Sequence, residues 1–355
     1  MTKYVTKDAK YDEVTVERVA GSMLKITGMV PLATVQALKK RVLGGMVREY
    51  TLPGFRRGHV PEETVRTHVG EKVLLEDTAE RALSEAYHAL VADRQLEVVG
   101  RPNITVTSIA PDQPIGFSID VAMYPEVTLP AYAMIAEKET AAHPDPETME
   151  VTLEEVDAEV KRLQHIVAKN EGATQDAELP EPDDVFARTL GDFTDLADLK
   201  EKITKGLRLD KHQKAREKRR LAILTAILDG MTFEVPSVMI ESELEQMVST
   251  FKERLLRSGI DMQEYLHTIE KTIEDLQTEW RPDAEKRAKV QVLLNEIAKK
   301  EEIVPDMHTL SHEVTHLKEH HPEVETEVLY RYAYMQGTNE LVLAFLERGA
   351  KKETV

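Results

Sequence analysis

The sequence predicts a multidomain, elongated protein in which an α+β domain at the N-terminus is followed by an all-α body of helical arms. The chain has 355 residues, a length that ordinarily forms two or three domains. Charged residues make up 31% of it and aromatic residues 5%, which is typical of a helix-rich protein rather than a compact β-sandwich. Apolar residues recur at both strand and helix spacing before about residue 130 and at helix spacing alone beyond it.

The N-terminal part predicts a β-hairpin, several helices and two further strands. The strand segments alternate apolar and polar residues, whereas the helices carry apolar stripes at steps of three and four residues. Prolines at helix starts and glycines at turns indicate the boundaries. In chain order the predicted elements are strands 14–19 and 23–30, helices that begin at Pro31, at Pro61 and after Gly70, and strands 103–109 and 117–124.

Beyond this part the sequence predicts a linker and then helices alone. Residues 125–146 are rich in proline, alanine and charge without a clear period, which indicates an extended crossing segment. The predicted domains are 1–130, a linker with one helix over 131–182, and an all-α domain over 183–355. The helices expected after the crossing segment are 153–169, 195–228, 236–256, 262–277, 283–300, 305–319 and 323–347.

A basic loop between glycines follows the first predicted helix and reads GFRRGHVP. Gly54 and Gly58 allow a tight turn, so that Phe55, Arg56 and Arg57 are expected at its tip. Aromatic side chains and arginines are enriched in interface hot spots, and arginine binds carboxylate or phosphate in a bidentate manner. The alternative is a solvated loop in which Phe55 folds back on its own helical hairpin.

The pattern Gly54-Phe55-Arg56-x-Gly58-x-x-Pro61 resembles the ribosome-docking signature of the trigger factor family, the bacterial ribosome-associated chaperones. Two further stretches resemble the same family, MYPEVTLP near the end of the first domain and FEVPSVMI at the start of a predicted helical arm. The resemblance covers almost the whole chain. It departs from the family at His59, where lysine is usual.

The resemblance implies a ribosome-binding N-terminal domain and a C-terminal chaperone domain in a cytoplasmic protein. It implies docking on a protein of the large ribosomal subunit and on adjacent ribosomal RNA at the nascent-chain exit, together with holding of nascent or unfolded polypeptides. A homodimer away from the ribosome is left open, as is a holdase that acts without the ribosome. The ribosome-binding residues that it implies are Gly54, Phe55, Arg56, Arg57 and Gly58.

One departure from the family concerns enzymatic activity. Family members typically carry an FKBP-like prolyl isomerase domain between the linker helix and the helical body. The matching interval here, from Asn170 to Pro182, is far below the ~50 residues of a small domain. We therefore expect a chaperone that is not an enzyme. Neither G-x-G-x-x-G nor G-x-x-x-x-G-K-[ST] occurs, so ATP-independent holding with no cofactor is expected.

Client contacts are expected on the helical body, where adaptable side chains can pack against many sequences. Met247 with Phe251, and Tyr330 with Tyr334, are pairs at helical spacing that could line such a surface. The alternative for each is ordinary packing between helices.

A second motif favours a different class of protein. His312, Glu313 and His316 form a literal H-E-x-x-H, which in zinc peptidases places two metal ligands and a general base on one helix face. The segment is polar nearly all round, and histidine recurs at His308 and His320. These features favour a solvated helix face without a bound metal, and the zinc metallopeptidase is kept as an alternative.

Charge and composition restrict the partners further. The formal net charge of −18 repels phosphate, so contact with nucleic acid requires a local basic patch, for which GFRRGHVP is the best candidate. The basic run 211–220, KHQKAREKRR, is interpreted instead as a solvated helix face. The absence of cysteine is compatible with a reducing compartment. No run approaches the ~18 apolar residues of a membrane span, so no membrane partner is expected.

Overall fold

The computed structural model describes residues 10–170 and 179–350. A four-stranded sheet lies near the N-terminus, and the remaining regular structure is helical. The predicted fold class, α+β followed by all-α, is confirmed. The interval expected to lack an inserted domain lies partly outside the described residues. No helix in the described part of the chain is both long and apolar enough to cross a membrane.

The described residues form two compact units. One contains residues 10–127 and 233–289, and the other contains 128–170, 179–232 and 290–350. Each unit therefore combines segments that are far apart in the sequence. The division of the chain into domains 1–130, 131–182 and 183–355 stays a prediction.

The sheet of the first unit is entirely antiparallel, in the order β1-β2-β4-β3. Alternation places Leu24, Ile26 and Val30 of one strand and Phe117 and Ile119 of another in the core, while the intervening residues face away. The strands are β1 (Asp12–Val19), β2 (Met23–Val30), β3 (Val98–Ser108) and β4 (Ile115–Met123).

Three helices follow β2 in the first unit, namely α1 (Leu32–Glu49), α2 (Glu62–Val69) and α3 (Glu71–Asp93). The apolar stripe of α1, with Val35 and Leu38, packs with Ala82 and Leu90 of α3 on the buried face of the sheet. Because α1 and α2 belong to one helical hairpin, the chain between them forms a loop at its end. The predicted elements of this region are present.

The same unit contains a helical segment from later in the sequence. It consists of α8 (Ser237–Arg257), α9 (Met262–Thr268) and the first part of α10 (Ile273–Glu301). Helix α8 contacts β3, and the three helices share small apolar clusters around Leu244, Leu255 and Leu276.

The second unit is helical throughout its described residues. Its main core joins α4, α7, the end of α10 and α12 through residues such as Tyr132, Ile227, Ile297 and Val342. Aspartate side chains cap several helices; Asp195, for example, accepts a hydrogen bond from the backbone N–H of Asp198. Its helices are α4 (Tyr132–Ala142), α5 (Leu153–Asn170), α6 (Asp184–Thr189), α7 (Leu196–Asp229), the end of α10, α11 (Met307–His320) and α12 (Thr326–Glu347).

Three expectations for individual elements were wrong. The crossing segment contains α4, whose alanine-rich sequence favours a helix and buries Tyr132 and Ala136 without a clear stripe. The short helix α6 was not expected. The helices predicted over 262–277 and 283–300 are instead α9 and a continuous α10 that passes through Pro282. Pro282 and Thr278 are exposed, so water can reach the carbonyl that lost its backbone donor.

Candidate functional site

The loop between α1 and α2 begins with a tight β-turn. The backbone N–H of Phe55 donates to the carbonyl oxygen of Leu52 at 3.0 Å. Pro53 and Gly54 stand between them, and Gly54 has φ +91°. Proline at the second position and a positive φ at the third are the signature of a type II turn. This turn directs the chain into the tip of the loop.

A second turn follows at once and closes the loop. The backbone N–H of His59 donates to the carbonyl oxygen of Arg56 at 3.0 Å, and Gly58 between them has φ +79°. The N–H of Gly58 also reaches back to the carbonyl oxygen of Tyr50 at 3.4 Å. Backbone hydrogen bonds therefore close the loop on both sides of its tip.

The tip presents one aromatic and two cationic side chains to solvent. Phe55 is 45% exposed, and Arg56 and Arg57 are exposed as well. Neither arginine forms an ion pair within the described residues, whereas Arg41 and Arg66 nearby each pair with a glutamate. Phe55 is thus partly covered by its own hairpin and keeps nearly half of its surface in solvent. These side chains are available to an external partner.

The base of the loop is anchored by burial and by charge. Val60 and Val65, which follow the tip, are almost fully buried. Glu71 at the start of α3 accepts hydrogen bonds from Lys39 and from Arg66, the latter at 3.0 Å. These two bonds hold the pKa of the Glu71 carboxyl below its usual range. The base of the loop is therefore held by apolar packing and by two ion pairs.

Acidic residues lie directly outside the stretch GFRRGHVP. Glu49 ends α1, while Glu62 and Glu63 occupy the first turn of α2, and all three are exposed. The carboxylates of the first turn complement the positive end of the α2 dipole. The exposed arginines of the tip therefore have exposed acidic residues on both sides of them along the chain.

Met247 and Phe251 are half-buried on α8. Met247 packs near Ile240 in a small apolar cluster. The ring of Phe251 meets the rings of Tyr265 and Trp280 edge-on, with centroids 5.3 Å apart in each case. These contacts join α8, α9 and α10. A role for the pair in client binding stays a prediction.

Tyr330 and Tyr334 lie one turn apart on α12, with 36% and 38% of their surfaces exposed. The hydroxyl of Tyr330 donates to the Met307 sulfur at 3.6 Å. Leu329 and Ala333 are buried between α12 and α11 and fix the orientation of the helix. A role for the two tyrosines in client binding stays a prediction, and this pair belongs to a different compact unit from Met247 and Phe251.

The hairpin of α11 and α12 exposes further apolar side chains that the sequence analysis did not single out. A helix that packs on one side buries a single apolar stripe. The stretch LYRYAYM in α12 instead has apolar residues on more than one face, and this pattern in the sequence indicates that some of them are exposed. The additional exposed residues on or beside this hairpin are Val304, Met307, Val328, Tyr332 and Leu341.

The H-E-x-x-H stretch lies on the solvent face of α11. His312, Glu313 and His316 are all exposed, while Leu310 and Val314 of the same helix are buried. In the described residues no group of three or more histidine and acidic side chains converges on one point. The interpretation as a solvated face is confirmed, and a buried catalytic zinc helix is not formed.

The basic run in α7 was only partly a solvated face. The single Nε–H of Arg216 is shared between the two carboxylate oxygens of Glu347, and a terminal nitrogen donates to one of them, at 3.1–3.2 Å. Arg220 bonds both Glu340 and Glu347, and the Glu347 side chain is 7% exposed. Arg219 also lies within 3.9 Å of this carboxylate. Ion pairs and hydrogen bonds from these arginines thus connect the end of α12 to α7.

Comparison with known proteins identifies the family. A family model described as "Bacterial trigger factor protein (TF)" matches residues 12–163, and one described as "Bacterial trigger factor protein (TF) C-terminus" matches residues 195–351. This chain belongs to the trigger factor family. Membership makes it a ribosome-associated chaperone that assists protein folding, and nothing in these matches supports the zinc peptidase alternative.

Individual trigger factors are similar along most of their length. The trigger factor of Agathobacter rectalis is 26% identical, with 82% of this chain and 83% of that protein covered. The trigger factor of Carboxydothermus hydrogenoformans is 23% identical, with 95% and 97% covered. A solved chain of the trigger factor chaperone gives a TM-score of 0.48 at 14% identity, covering 95% of this chain and 100% of that chain.

Proposed function

We propose that this protein docks at the nascent-chain exit of the large ribosomal subunit through the tip formed by Gly54, Phe55, Arg56, Arg57 and Gly58. The observation that carries the proposal is the pairing of an exposed phenylalanine with two arginines that have no ion-pair partner within the described residues. Such side chains form favourable contacts only when a partner covers them. The two glycines would hold the turns that present the other three side chains.

The chemistry of the tip fits a surface of protein and ribosomal RNA. A guanidinium group binds a carboxylate or a phosphate with paired hydrogen bonds, and Phe55 requires an apolar pocket, which a protein supplies. The exposed glutamates beside the tip, Glu62 and Glu63, would be repelled by a surface made of phosphate alone. A protein contact at Phe55 with RNA at its margin therefore fits better than RNA alone.

The test is co-sedimentation of the purified protein with ribosomes. Replacing Phe55, Arg56 and Arg57 together by alanine should abolish binding, because one buried aromatic and two charge-assisted contacts account for several kcal/mol of an interface. Stability should change by no more than about 0.5 kcal/mol, since the three side chains are exposed. Rising salt should weaken the wild-type complex by screening the arginines.

A matched control is available on α7. Lys205, Arg208 and Leu209 are also two exposed basic residues and one exposed apolar residue, and their replacement by alanine makes a similar change of composition. This variant should bind ribosomes as the wild type does. Wild-type binding by the loop variant, or equal loss in both variants, would remove the loop as the anchor.

We further propose that the protein holds nascent and unfolded chains in the cytoplasm without ATP and without being an enzyme. The two matched family regions leave residues 164–194 between them, too few for an isomerase domain. In a refolding assay limited by proline isomerisation, and with a proline tetrapeptide, we expect no acceleration. A tetrapeptide rate clearly above background would contradict this. Whether two copies associate away from the ribosome would be read from sedimentation of the free protein.

A further inference from the structure

Four histidines on α11 follow one another at intervals of four residues. His308, His312, His316 and His320 are all exposed. Leu310 and the neighbouring apolar residues of α11 pack against α12. The histidines lie on the opposite face of α11, where they form a stripe in solvent. These imidazoles are not part of the hydrophobic core, and they take no part in the proposed ribosome contact.

The last two members of the stripe are already close to each other. The rings of His316 and His320 have centroids 4.8 Å apart and planes inclined by 70°. A metal held by two imidazole nitrogens at ~2.0–2.1 Å from each requires those nitrogens to lie roughly 3 Å apart. Residues four apart on a helix have Cβ atoms about 5–6 Å apart, so side-chain rotation alone can bring the two nitrogens to that separation. We propose that His316 and His320 form a two-histidine chelate for a divalent transition metal.

The ligands determine which metals are expected. Imidazole favours nickel, copper and zinc over manganese and calcium, and the affinity of such a site rises from Mn²⁺ through Ni²⁺ to Cu²⁺. Since no third histidine or acidic side chain converges with this pair in the described residues, water completes the coordination. The site is therefore open, exchangeable and distinct from a catalytic zinc centre.

The surroundings of the pair do not oppose a cation. Lys318 is the nearest lysine in sequence, and its ammonium donates to the carbonyl oxygens of Pro322 and Val324 at 2.9 and 2.6 Å. This contact holds its charge at the end of the helix, on the other side from the stripe. Glu319 is exposed between the two ligands in sequence and adds a negative charge nearby.

Metal binding has a structural consequence for α11. His320 is the last residue of the helix, so a metal that joins it to His316 fastens the final turn. Because the bridge requires the folded helix, binding stabilises this turn by mass action. Amide hydrogen exchange in the last turn of α11 should slow when the metal is bound, and the rest of the chain serves as the internal reference.

The proposal is tested by calorimetric titration of the untagged full chain with Ni²⁺, Cu²⁺, Zn²⁺ and Mn²⁺. His316→Ala and His320→Ala should each lower Ni²⁺ affinity at least about tenfold, since even second-shell partners of ligating histidines are worth ~10–100-fold. His308→Ala and His165→Ala, which remove exposed histidines outside the pair, should bind as the wild type does. Circular dichroism verifies that the helices of each variant remain.

The outcomes that overturn the proposal are specific. Unchanged Ni²⁺ affinity in both His316→Ala and His320→Ala would show that the pair is not the ligand set. A loss of Ni²⁺ affinity in His308→Ala without a loss in His320→Ala would move the site to the other end of the stripe. Binding of Mn²⁺ as tight as that of Ni²⁺ would indicate a carboxylate site instead.

Discussion

Gly58 lies so close to Arg48 that a Cβ atom on it would stand 3.2 Å from the Arg48 carbonyl oxygen. Its φ of +79° is in addition a conformation that other residues adopt at a cost of about 1–2 kcal/mol. Gly54 in the preceding turn has a similar φ of +91°, but nothing lies within 4 Å of its Cβ position. A substitution at Gly54 therefore tests backbone strain alone, whereas a substitution at Gly58 tests backbone strain and close packing together.

Alanine at each glycine should affect ribosome binding to different extents. Gly54→Ala carries the backbone cost alone, whereas Gly58→Ala must also push the second turn away from the end of α1. We expect Gly58→Ala to weaken binding by more than about tenfold, with Gly54→Ala weaker in effect, since about 1.4 kcal/mol corresponds to a factor of ten. Co-sedimentation titrations with ribosomes measure both. Equal affinities for the two variants would show that contact with Arg48 does not matter.

The loop could be predicted from sequence because its determinants are local. Two glycines, a proline and three tip side chains lie within a few residues, and turn geometry follows from them directly. The strands and most helices were also predictable, since each carries its own period. The role of Arg216 and Arg220 was not, because their partner Glu347 lies 131 and 127 residues away along the chain. Pairing at that distance depends on the tertiary fold.

Glu347 should make the second unit sensitive to acid. Burial alone would raise the pKa of this carboxyl, but hydrogen bonds from Arg216 and Arg220 and the charges of these arginines outweigh it and hold the pKa below its usual range. As the pH falls, unfolded chains take up the proton first, so the stability that Glu347 contributes is present above about pH 4.5 and is lost as the pH passes through the lower folded pKa. Urea unfolding across this range measures the loss.

The matched variants are Glu347→Gln and Glu340→Gln. Glutamine at position 347 removes the negative charge that faces the partly buried guanidinium groups of Arg219 and Arg220, whose side chains are 13% and 16% exposed. This change should cost about 1–3 kcal/mol near neutral pH. Glu340 is largely exposed, and its replacement should cost less than about 1 kcal/mol. The difference between wild type and Glu347→Gln should shrink below the folded pKa. A difference that stays constant down to that range would contradict the ionised pair.

Gly100 and Val238 bring α8 onto the sheet in the first unit. A Cβ atom on Gly100 would lie 2.5 Å from Cγ2 of Val238, and Gly100 has φ +73° where the register of β3 shifts. We expect Gly100→Ala to destabilise this unit by about 1–3 kcal/mol beyond its backbone strain, as overpacking does. Fluorescence of Trp280, the single tryptophan, reports unfolding of the α8 to α10 segment.

Gly21 supplies the control for this substitution. It has φ +80° but nothing within 4 Å of its Cβ position, so Gly21→Ala carries the backbone strain without the clash. The double variant Gly100→Ala with Val238→Ala should regain stability relative to Gly100→Ala, because the shorter side chain frees the space. If the double variant is the less stable of the two, the close contact is not the cause.

Tyr330 and Tyr334 should contribute to the holding of unfolded chains. Each tyrosine offers apolar area and a hydroxyl at a half-exposed site, so a client can cover it at little cost in side-chain entropy. Replacing both by alanine should weaken suppression of client aggregation by about thirtyfold, since ~1 kcal/mol for each lost contact sums to about 2 kcal/mol and about 1.4 kcal/mol is a factor of ten. Light scattering of an unfolded client without ribosomes measures it.

Tyr332 on the same helix is the matched control. It is 43% exposed, but a step of two residues turns it roughly 160° away from Tyr334 and from Tyr330, so its loss changes composition without changing the tested face. Tyr332→Ala should hold clients as the wild type does. Ribosome binding should stay intact in all these variants, because the loop proposed to bind the ribosome lies in the other compact unit. Full holding activity in the double variant would show that this face of α12 does not bind clients. Client binding would then depend on other residues, such as Met247 and Phe251.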